Sequence, residues 1–309
     1  MPKRLNNYSF TIITPAYNTA KYIENNIKAV INLKYDLNKV EHIIVDDGST
    51  DDTYKVVKKF ADKFSHIKLC RKSNSNWGGV MNYVKENKLI HNDYVTISDS
   101  DDVITKKAFF YVNKYANNED LIFGNFYRWN GKRCKFPAHS YYYMFKRIPY
   151  SKKLKKNIPP FLWMTHGTYC KKEVFYKMHY LKEKVSYQDN ILIMELFNNA
   201  KTIRYINKGL EKYFESRPGN SSEYIKNEKN VLLQLENARI LEKSNLPEIL
   251  ATILLYFKQF RKYCKNNNIT FKFKQKPKFK NVNWLMRLFI NIVYYCVGIN
   301  KFIKREQKI

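Results

Sequence analysis

The stretch Tyr94-Val95-Thr96-Ile97-Ser98-Asp99-Ser100-Asp101-Asp102 runs from an apolar segment directly into a cluster of carboxylates. A second stretch, Ile43-Ile44-Val45-Asp46-Asp47-Gly48-Ser49, has the same design. Short apolar runs that end in polar turns are typical of buried strands when helical stretches lie between them. In an open parallel sheet ligands bind at the carboxyl ends of the strands, so we expect both acidic clusters at one ligand-binding edge.

Strand-like runs alternate with helix-like stretches from Phe10 to Tyr127, which predicts an α/β fold with a mainly parallel sheet. Helical spacing of apolar residues between the first two strands predicts a helix around Ile23 and Ile31. Asn130-Gly131 favours a hairpin that returns the fifth strand. The predicted strands are Phe10–Thr14, His42–Asp46, Ile67–Cys70, Tyr94–Ser98, Leu121–Tyr127, Thr202–Ile206 and Leu210–Glu215, with a helix over Asn190–Asn198 between the fifth and the sixth.

Composition indicates a folded, reduced protein. The 309 residues are 44% hydrophobic with only 9 Gly and 9 Pro, which excludes a disordered or fibrous chain. The 5 cysteines are widely spaced and match no metal or redox pattern. The first residues lack the apolar stretch of a secretory signal, so we expect a cytoplasmic protein.

The formal net charge of +29 favours polyanionic partners such as anionic lipid or nucleic acid. A basic nucleic-acid- or polyanion-binding protein is therefore an alternative interpretation of the chain. The basic residues form no recognised reading motif, and the acidic clusters would repel phosphate without a metal. We accordingly expect no specific nucleic acid partner.

The cluster Asp99, Asp101 and Asp102 places three carboxylates within four residues. Such groups repel one another unless a cation or hydrogen-bond donors compensate them. Hard carboxylate oxygens suit Mg²⁺ or Mn²⁺, which can bridge to a diphosphate. The alternative is that these residues, like Asp46 and Asp47, only cap helices and form turns.

Four motifs follow one another along the chain. They are Phe10-Thr11-Ile12-Ile13-Thr14-Pro15-Ala16-Tyr17-Asn18, Asp46-Asp47-Gly48-Ser49-Thr50-Asp51, Asn76-Trp77-Gly78-Gly79-Val80-Met81-Asn82 and Asp99-Ser100-Asp101-Asp102. In order and spacing they resemble the motifs of the family 2 inverting glycosyltransferases, which have the GT-A fold, a Rossmann-like mixed sheet. The resemblance covers roughly Ser9 to Ser222 and implies a catalytic domain over residues 1–222.

The resemblance implies roles for individual residues. Asp47 would accept a hydrogen bond from the uracil imide, and Pro15 and Tyr17 would line the base pocket. Asp101 would be a direct ligand of Mn²⁺ or Mg²⁺, with Asp99 facing the ribose or the metal. The nucleotide-binding set is Pro15, Tyr17, Asp47, Asn76, Asp99 and Ser100.

An inverting transfer needs a carboxylate to take the proton of the acceptor hydroxyl. The resemblance implies Asp189 in this role, next to Gln188, which replaces the family's usual Glu. The alternative is that Asp189 is simply the N-cap of the following helix. The two roles do not exclude each other.

Two further segments match the family in position. Arg217 and Ser221 stand where the family binds the diphosphate, although the segment could be a plain surface turn. The expected sugar and acceptor pocket contains Trp163, His166, Gly167 and Gln188. A lone histidine such as His166 is more often structural than functional.

The C-terminal region, residues 223–309, is predicted to be helical and basic. Lysines and phenylalanines alternate from Phe271 to Lys280, and an apolar stretch follows that is short for a bilayer span. This pattern favours an interfacial anchor on an anionic membrane. The helix could instead pack against the catalytic domain or another subunit, so a homo-oligomer stays open.

Together these features predict a metal-dependent enzyme at the inner face of the cell membrane. It would move a hexose or N-acetylhexosamine from a UDP-sugar to a cell-surface glycan, lipid-linked or protein-linked acceptor. An inactive glycosyltransferase-like binding module is the remaining alternative.

Overall fold

The computed structural model describes residues 6–129, 134–135 and 165–214, and four single positions between 233 and 240. The chain divides into two compact units, residues 1–154 with 164–217 and residues 155–163 with 218–309. The first unit contains nearly all of the described residues. Trp163, Arg217, Ser221 and all but those four positions of the predicted C-terminal helical region lie outside them. The division into residues 1–222 and 223–309 therefore stays a prediction.

Strands and helices alternate through the described part of the chain. Its helices are α1 (Ile23–Ile31), α2 (Thr53–Ala61), α3 (Asn76–Glu86), α4 (Ala108–Tyr115), α5 (Lys172–Tyr176) and α6 (Asp189–Asn199), with a short 3-10 helix at Leu37–Lys39. Its strands are β1 (Phe10–Ala16), β2 (Val40–Asp46), β3 (Ile67–Arg71), β4 (Tyr94–Ile97), β5 (Val103–Ile104), β6 (Leu121–Trp129), β7 (Cys134–Lys135), β8 (Thr168–Lys171) and β9 (Ile203–Phe214).

These strands form one mixed sheet in the order β3-β2-β1-β4-β8-β6-β9-β5, with β7 paired to β6. Strand β1 lies between β2 and β4 and is parallel to both. Its partners place Ala16 opposite Asp46 and Ile13 opposite Ile97. The carboxyl ends of β1, β2 and β4 therefore meet at the same edge, which confirms the predicted α/β fold and its acidic edge.

Apolar packing on the sheet holds that edge in place. One buried cluster includes Phe10 and Phe109, whose rings stack with centroids 4.3 Å apart. A second cluster joins Ile23 and Ile27 of α1 to Ile44 of β2. Because the apolar side chains of α1 repeat at helical spacing, one face of that helix is buried on the sheet.

Five of the predicted strands are confirmed, with ends within two residues of the prediction. The returning hairpin is confirmed by antiparallel pairing of Trp129 with Cys134. The prediction of two short strands after α6 is wrong, because β9 is continuous across Asn207-Lys208-Gly209. Its pairing with β6 shifts register around Asn125, so a bulge absorbs the turn-like residues.

Within the described part of the chain, no helix has the length and apolar character needed to cross a bilayer.

Candidate active site

Asp46 closes β2 and shapes the turn that follows it. It is fully buried, and its Oδ1 accepts a hydrogen bond from the backbone N–H of Ser49 at 3.0 Å. The Nε atom of Arg71 lies 3.1 Å from its Oδ2. Gly48 adopts φ +75°, and a Cβ there would lie 3.0 Å from the backbone nitrogen of Asn74. The turn therefore needs glycine for both its conformation and its close approach.

Asp47, the predicted uracil ligand, is buried and held from two directions. Its Oδ1 accepts a hydrogen bond from the backbone N–H of Ser75 at 3.0 Å. The ammonium of Lys72 donates to the same oxygen at 2.9 Å and also contacts Ser75 Oγ. These two donors fix the direction in which the buried Asp47 carboxylate points.

The turn from Ser98 to Asp102 is anchored by Asn26, a buried residue of α1. The Nδ2 of Asn26 donates to the carbonyl oxygens of Asp99 at 3.1 Å and Asp102 at 3.0 Å. Asp102 N–H also donates to the Asp99 carbonyl at 2.9 Å. One helix side chain thus fixes the backbone of the whole acidic turn.

The acids of this turn point to different environments. Asp99 and Asp101 are partly exposed, whereas Asp102 and Ser100 are buried. The indole Nε1–H of Trp77 donates to Asp99 Oδ1 at 2.9 Å. Only the first two acids therefore combine a charged side chain with access to solvent.

Asp102 belongs to a buried charged cluster with His166 and Glu211. Its Oδ1 accepts a hydrogen bond from the backbone N–H of Phe214 at 2.8 Å, and its Oδ2 lies 3.1 Å from His166 Nδ1. Glu211 Oε2 lies 3.9 Å from the same nitrogen and accepts a hydrogen bond from Gly167 N–H at 2.8 Å. The alternative that Asp102 caps a following helix does not hold, because β5 follows it directly and α4 begins only at Ala108.

Burial and mutual contact shift the pKa values of this cluster. Burial by itself would lower the pKa of His166, but the adjacent Asp102 and Glu211 carboxylates raise it overall. Burial raises the pKa of Glu211 and of Asp102, and His166 opposes both shifts. The imidazolium is thus the charge that compensates the buried acids.

Asp189, the predicted base, is the first residue of α6, and Gln188 occupies the N-cap position without a side-chain capping bond. Asp189 is therefore not the N-cap. Burial raises the pKa of Asp189, the charge of Asp99 raises it further, and His166 lowers it. Asp189 is thus close enough to the acidic turn and to His166 for their charges to act on it.

Three side chains of the site lie near enough to one another to share a cation. The candidate ligand atoms of Asp99, Asp102 and His166 are all within 4.8 Å of one another. Asp102 and His166 are buried and face each other, while Asp99 is partly exposed. Carboxylate oxygens suit a hard divalent cation. Because Asp102 and His166 pair with each other, Asp99 is the member of this group that offers a ligand atom on the solvent side.

The sequence profile of glycosyl transferase family 2 matches residues 11–177. A Mycoplasma genitalium protein described as uncharacterized glycosyltransferase MG060 is 32% identical over 289 residues, which cover 92% of this chain and 95% of that protein. The chain belongs to glycosyltransferase family 2. It is accordingly an enzyme of the nucleotide-sugar glycosyltransferase class.

Solved structures agree with the GT-A fold of this glycosyltransferase. S. aureus TarS 1-349 in complex with UDP-GlcNAc superposes with a TM-score of 0.58 at 22% identity, covering 82% of this chain and 71% of that one. The mannosyltransferase PcManGT from Pyrobaculum calidifontis, in complex with GDP-Man and Mn²⁺, has a TM-score of 0.56 at 14% identity, covering 97% and 88%. At these identities the likeness shows the fold alone.

The other predicted site residues of the glycosyltransferase lie on several elements of the fold, and their roles stay predictions. Pro15 is the penultimate residue of β1, and Tyr17, which follows the strand, is 49% exposed. Asn76 opens α3 with a positive φ of 64°. Gln188 is buried, and its Oε1 accepts a hydrogen bond from Lys182 N–H at 3.1 Å. Gly167 adopts φ +68° beside β6. Its role in a sugar pocket stays a prediction.

Sequence reasoning missed three contributors to the site, which are Lys72, Trp77 and Glu211. Lys72 and Glu211 lie in segments without a family motif, and only the fold brings them to Asp47 and His166. Trp77 stands inside the third motif, so its position carried a signal. Its hydrogen bond to Asp99 could not be read from the sequence because the two residues belong to different elements.

Proposed function

We propose that this glycosyltransferase is metal-dependent and inverting, and that it moves a hexose or N-acetylhexosamine from a UDP-sugar to an acceptor hydroxyl. The observation that carries the proposal is the convergence of three carboxylate groups from separate elements. Asp47 follows β2, Asp99 follows β4, and Asp189 opens α6 close enough for the charge of Asp99 to act on it. The proposal gives each carboxylate one task. Asp47 would bind the base of the donor, Asp99 the cation at its diphosphate, and Asp189 the proton of the acceptor hydroxyl.

The donor would bind along the carboxyl edge of β1, β2 and β4. Asp47, fixed by Lys72 and Ser75, would accept a hydrogen bond from the uracil imide. Tyr17 and Pro15 would flank the base, and Ser100 would lie near the ribose. These groups are held by the fold before the donor arrives, which reduces the entropy lost on binding.

Asp99 and Asp101 would hold Mn²⁺ or Mg²⁺, because they combine charge with exposure. When bound, that cation would supply Lewis-acid stabilisation for the departing diphosphate. The buried Asp102 and His166 would support this turn from behind. Arg217 and Ser221 remain candidates for additional diphosphate contacts.

Asp189 would take the proton from the acceptor hydroxyl as its oxygen attacks the anomeric carbon from the face opposite the diphosphate. The new C–O bond forms while the bond from the anomeric carbon to the diphosphate oxygen breaks, so the configuration inverts. A raised pKa makes a carboxylate a stronger base than an exposed one. His166, Gly167, Gln188 and Trp163 are the candidates for shaping the acceptor side.

A panel of UDP-sugars tests this proposal directly. Purified protein is incubated with each donor and Mn²⁺ or Mg²⁺, then with a chelator, and UDP release is followed together with the anomeric configuration of the product by NMR. We expect release from at least one donor, loss of release on chelation, and an inverted product. Retention of configuration would contradict the role of Asp189, and turnover that survives chelation would contradict the metal.

The acceptor is proposed to be a cell-surface glycan, or a lipid-linked or protein-linked sugar at the inner face of the membrane. Support comes from the basic and aromatic segment between Phe271 and Lys280, in which each Lys near an anionic surface contributes about 1 kcal/mol. The full chain should float with anionic vesicles but not with neutral ones. Replacing its five alternating lysines, Lys272, Lys274, Lys276, Lys278 and Lys280, by Gln should weaken flotation; unchanged flotation would rule out this segment as the anchor.

A further inference from the structure

The residues that open α3 touch both acidic motifs of the site. The backbone N–H of Ser75 donates to Asp47 Oδ1 at 3.0 Å, and the indole N–H of Trp77 donates to Asp99 Oδ1 at 2.9 Å. Two residues apart in sequence, these donors reach carboxylates that follow different strands. The start of α3 therefore links the predicted base-binding acid to the predicted metal-binding acid.

This start of α3 is tightly constrained. Asn76, between the two donors, has a left-handed φ of 64°. A Cβ on Gly79 would lie 1.8 Å from Ser75 Oγ, and one on Gly78 would lie 2.6 Å from the carbonyl oxygen of Lys182. The Ser75 carbonyl in turn accepts a hydrogen bond from Lys184 N–H at 2.8 Å. The backbone that carries the Trp77 side chain is thus held in place by close packing and by a hydrogen bond.

Asp47 and Asp99 accept hydrogen bonds from groups of different charge. Asp47 is paired with the ammonium of Lys72, which compensates its negative charge. Trp77 offers Asp99 a neutral N–H that has no acceptor atom and cannot itself bind a cation. A neutral donor orients a carboxylate and leaves its net charge available. This is the arrangement expected of a partner that orients a metal-binding carboxylate.

We propose that Trp77 is a positioning residue that orients Asp99 toward the cation and diphosphate of the donor. The inference rests on the proposed function, because it assumes that Asp99 serves the metal–nucleotide complex. It assigns to Trp77 a contribution to metal-dependent donor binding that is separate from contacts with the base.

The test compares UDP binding by calorimetry, with Mn²⁺ and with a chelator, in wild type and in Trp77→Phe. Phenylalanine keeps an aromatic ring in this half-buried place but loses the N–H donor. We expect UDP affinity in the presence of Mn²⁺ to fall about 10- to 100-fold, while metal-free UDP affinity stays at the wild-type value. The matched control is Tyr83→Phe, which removes a hydroxyl from the same helix and should leave both affinities unchanged.

Asp99→Asn and the double variant separate this inference from the proposed function. If Asp99 serves the metal, Asp99→Asn should lose Mn²⁺-dependent UDP affinity, and adding Trp77→Phe should lower it no further. Wild-type affinity in Asp99→Asn would refute the proposed metal role itself. If Asp99→Asn is impaired, the Trp77 inference alone fails when Trp77→Phe binds like wild type, or when it loses metal-free binding to the same extent.

Discussion

Asp189 is the residue on which the proposed chemistry depends most. Asp189→Asn preserves the size of the side chain but cannot accept the hydroxyl proton, so we expect kcat to fall by about 10²- to 10⁴-fold. UDP affinity should remain close to wild type, because Asp189 is not assigned to the nucleotide. Steady-state kinetics and calorimetry on the same preparation check this. Asp62→Asn, an exposed acid paired with Lys58, is the control and should be fully active.

The raised pKa of Asp189 also predicts the pH dependence of the reaction. Burial, and then the charge of Asp99, raise this pKa, and the base works only when ionised. The value of kcat/KM should therefore fall on acidification at a higher pH than an exposed Asp would give. A profile that stays flat down to the ordinary carboxylate range would contradict the assignment.

Asp102 is predicted to matter for stability, since it is fully buried beside His166. Asp102→Asn keeps an oxygen for the Phe214 N–H but leaves His166 without its nearest counter-charge. Removing one partner of a buried pair costs about 3–5 kcal/mol, and we expect a loss of that order in urea unfolding. The double variant Asp102→Asn, His166→Asn should recover part of it, because the buried cation is gone. Unchanged unfolding of the single variant would show that the pair is not a stabilising contact.

At the level of elements, the start of α3 depends on a residue that tolerates positive φ. Asn76 has φ 64°, a conformation that Asn adopts more readily than Ala and that Gly adopts freely. Asn76→Ala should lower the free energy of unfolding by about 1 kcal/mol, whereas Asn76→Gly should be close to wild type. Denaturant unfolding measures both variants. If Asn76→Gly binds UDP normally, the residue acts through its backbone; if it loses affinity, the side chain contacts the nucleotide as the family resemblance implies.

The buried His42 of strand β2 makes a pH-dependent contribution to folding stability. His42 is fully buried, with Nε2 2.9 Å from Thr14 Oγ1. Burial, reinforced by the nearby charge of His66, lowers its pKa to about 3. The unfolded chain binds a proton at this residue below pH of about 6.5, and the folded chain does not. Folding stability is therefore lost as pH falls from that value toward the folded pKa, by at most about 1.4 kcal/mol per pH unit.

His42→Gln isolates this contribution, because the amide keeps a polar partner for Thr14 but does not titrate. The difference in unfolding free energy between wild type and His42→Gln should change between pH 6.5 and 4.5 in favour of the variant. Buried acids such as Glu211, whose pKa is raised by burial, act in the opposite direction in both proteins and cancel in the difference. A difference that does not vary with pH would show that folding does not lower the pKa of His42.

For the whole molecule, donor binding should couple to folding. A ligand that binds only the folded state stabilises it by about 2.7 kcal/mol at 100 times its Kd. We expect UDP with Mn²⁺ to raise the thermal midpoint clearly, and UDP with a chelator to raise it much less, because Asp99 and Asp101 would meet the diphosphate without a cation. Asp101→Asn should reduce the Mn²⁺-dependent part of the shift. Equal shifts with and without metal would count against metal-assisted donor binding.

The amino-acid sequence by itself determined the sheet and its functional edge. Apolar runs such as Ile43–Val45 are too short for buried helices and therefore predict buried strands. Because parallel strands end at the same edge of the sheet, the acids that follow them meet there. From the sequence, only the family resemblance predicted that Asp189 belongs to the site at that edge. Its partial burial and its proximity to Asp99 depend on how α6 packs.

Tertiary structure alone decided which partner each acid receives. The sequence presents Asp99, Asp101 and Asp102 as near equivalents, yet folding buries Asp102 against His166 and gives Asp99 the indole of Trp77. It also pairs Asp47 with Lys72 and carries β9 through a turn-like stretch by means of a bulge. Local sequence specifies periodicity and turn chemistry, which act over a few residues. Charge compensation and burial arise from segments far apart in the chain, so only the folded arrangement could assign them.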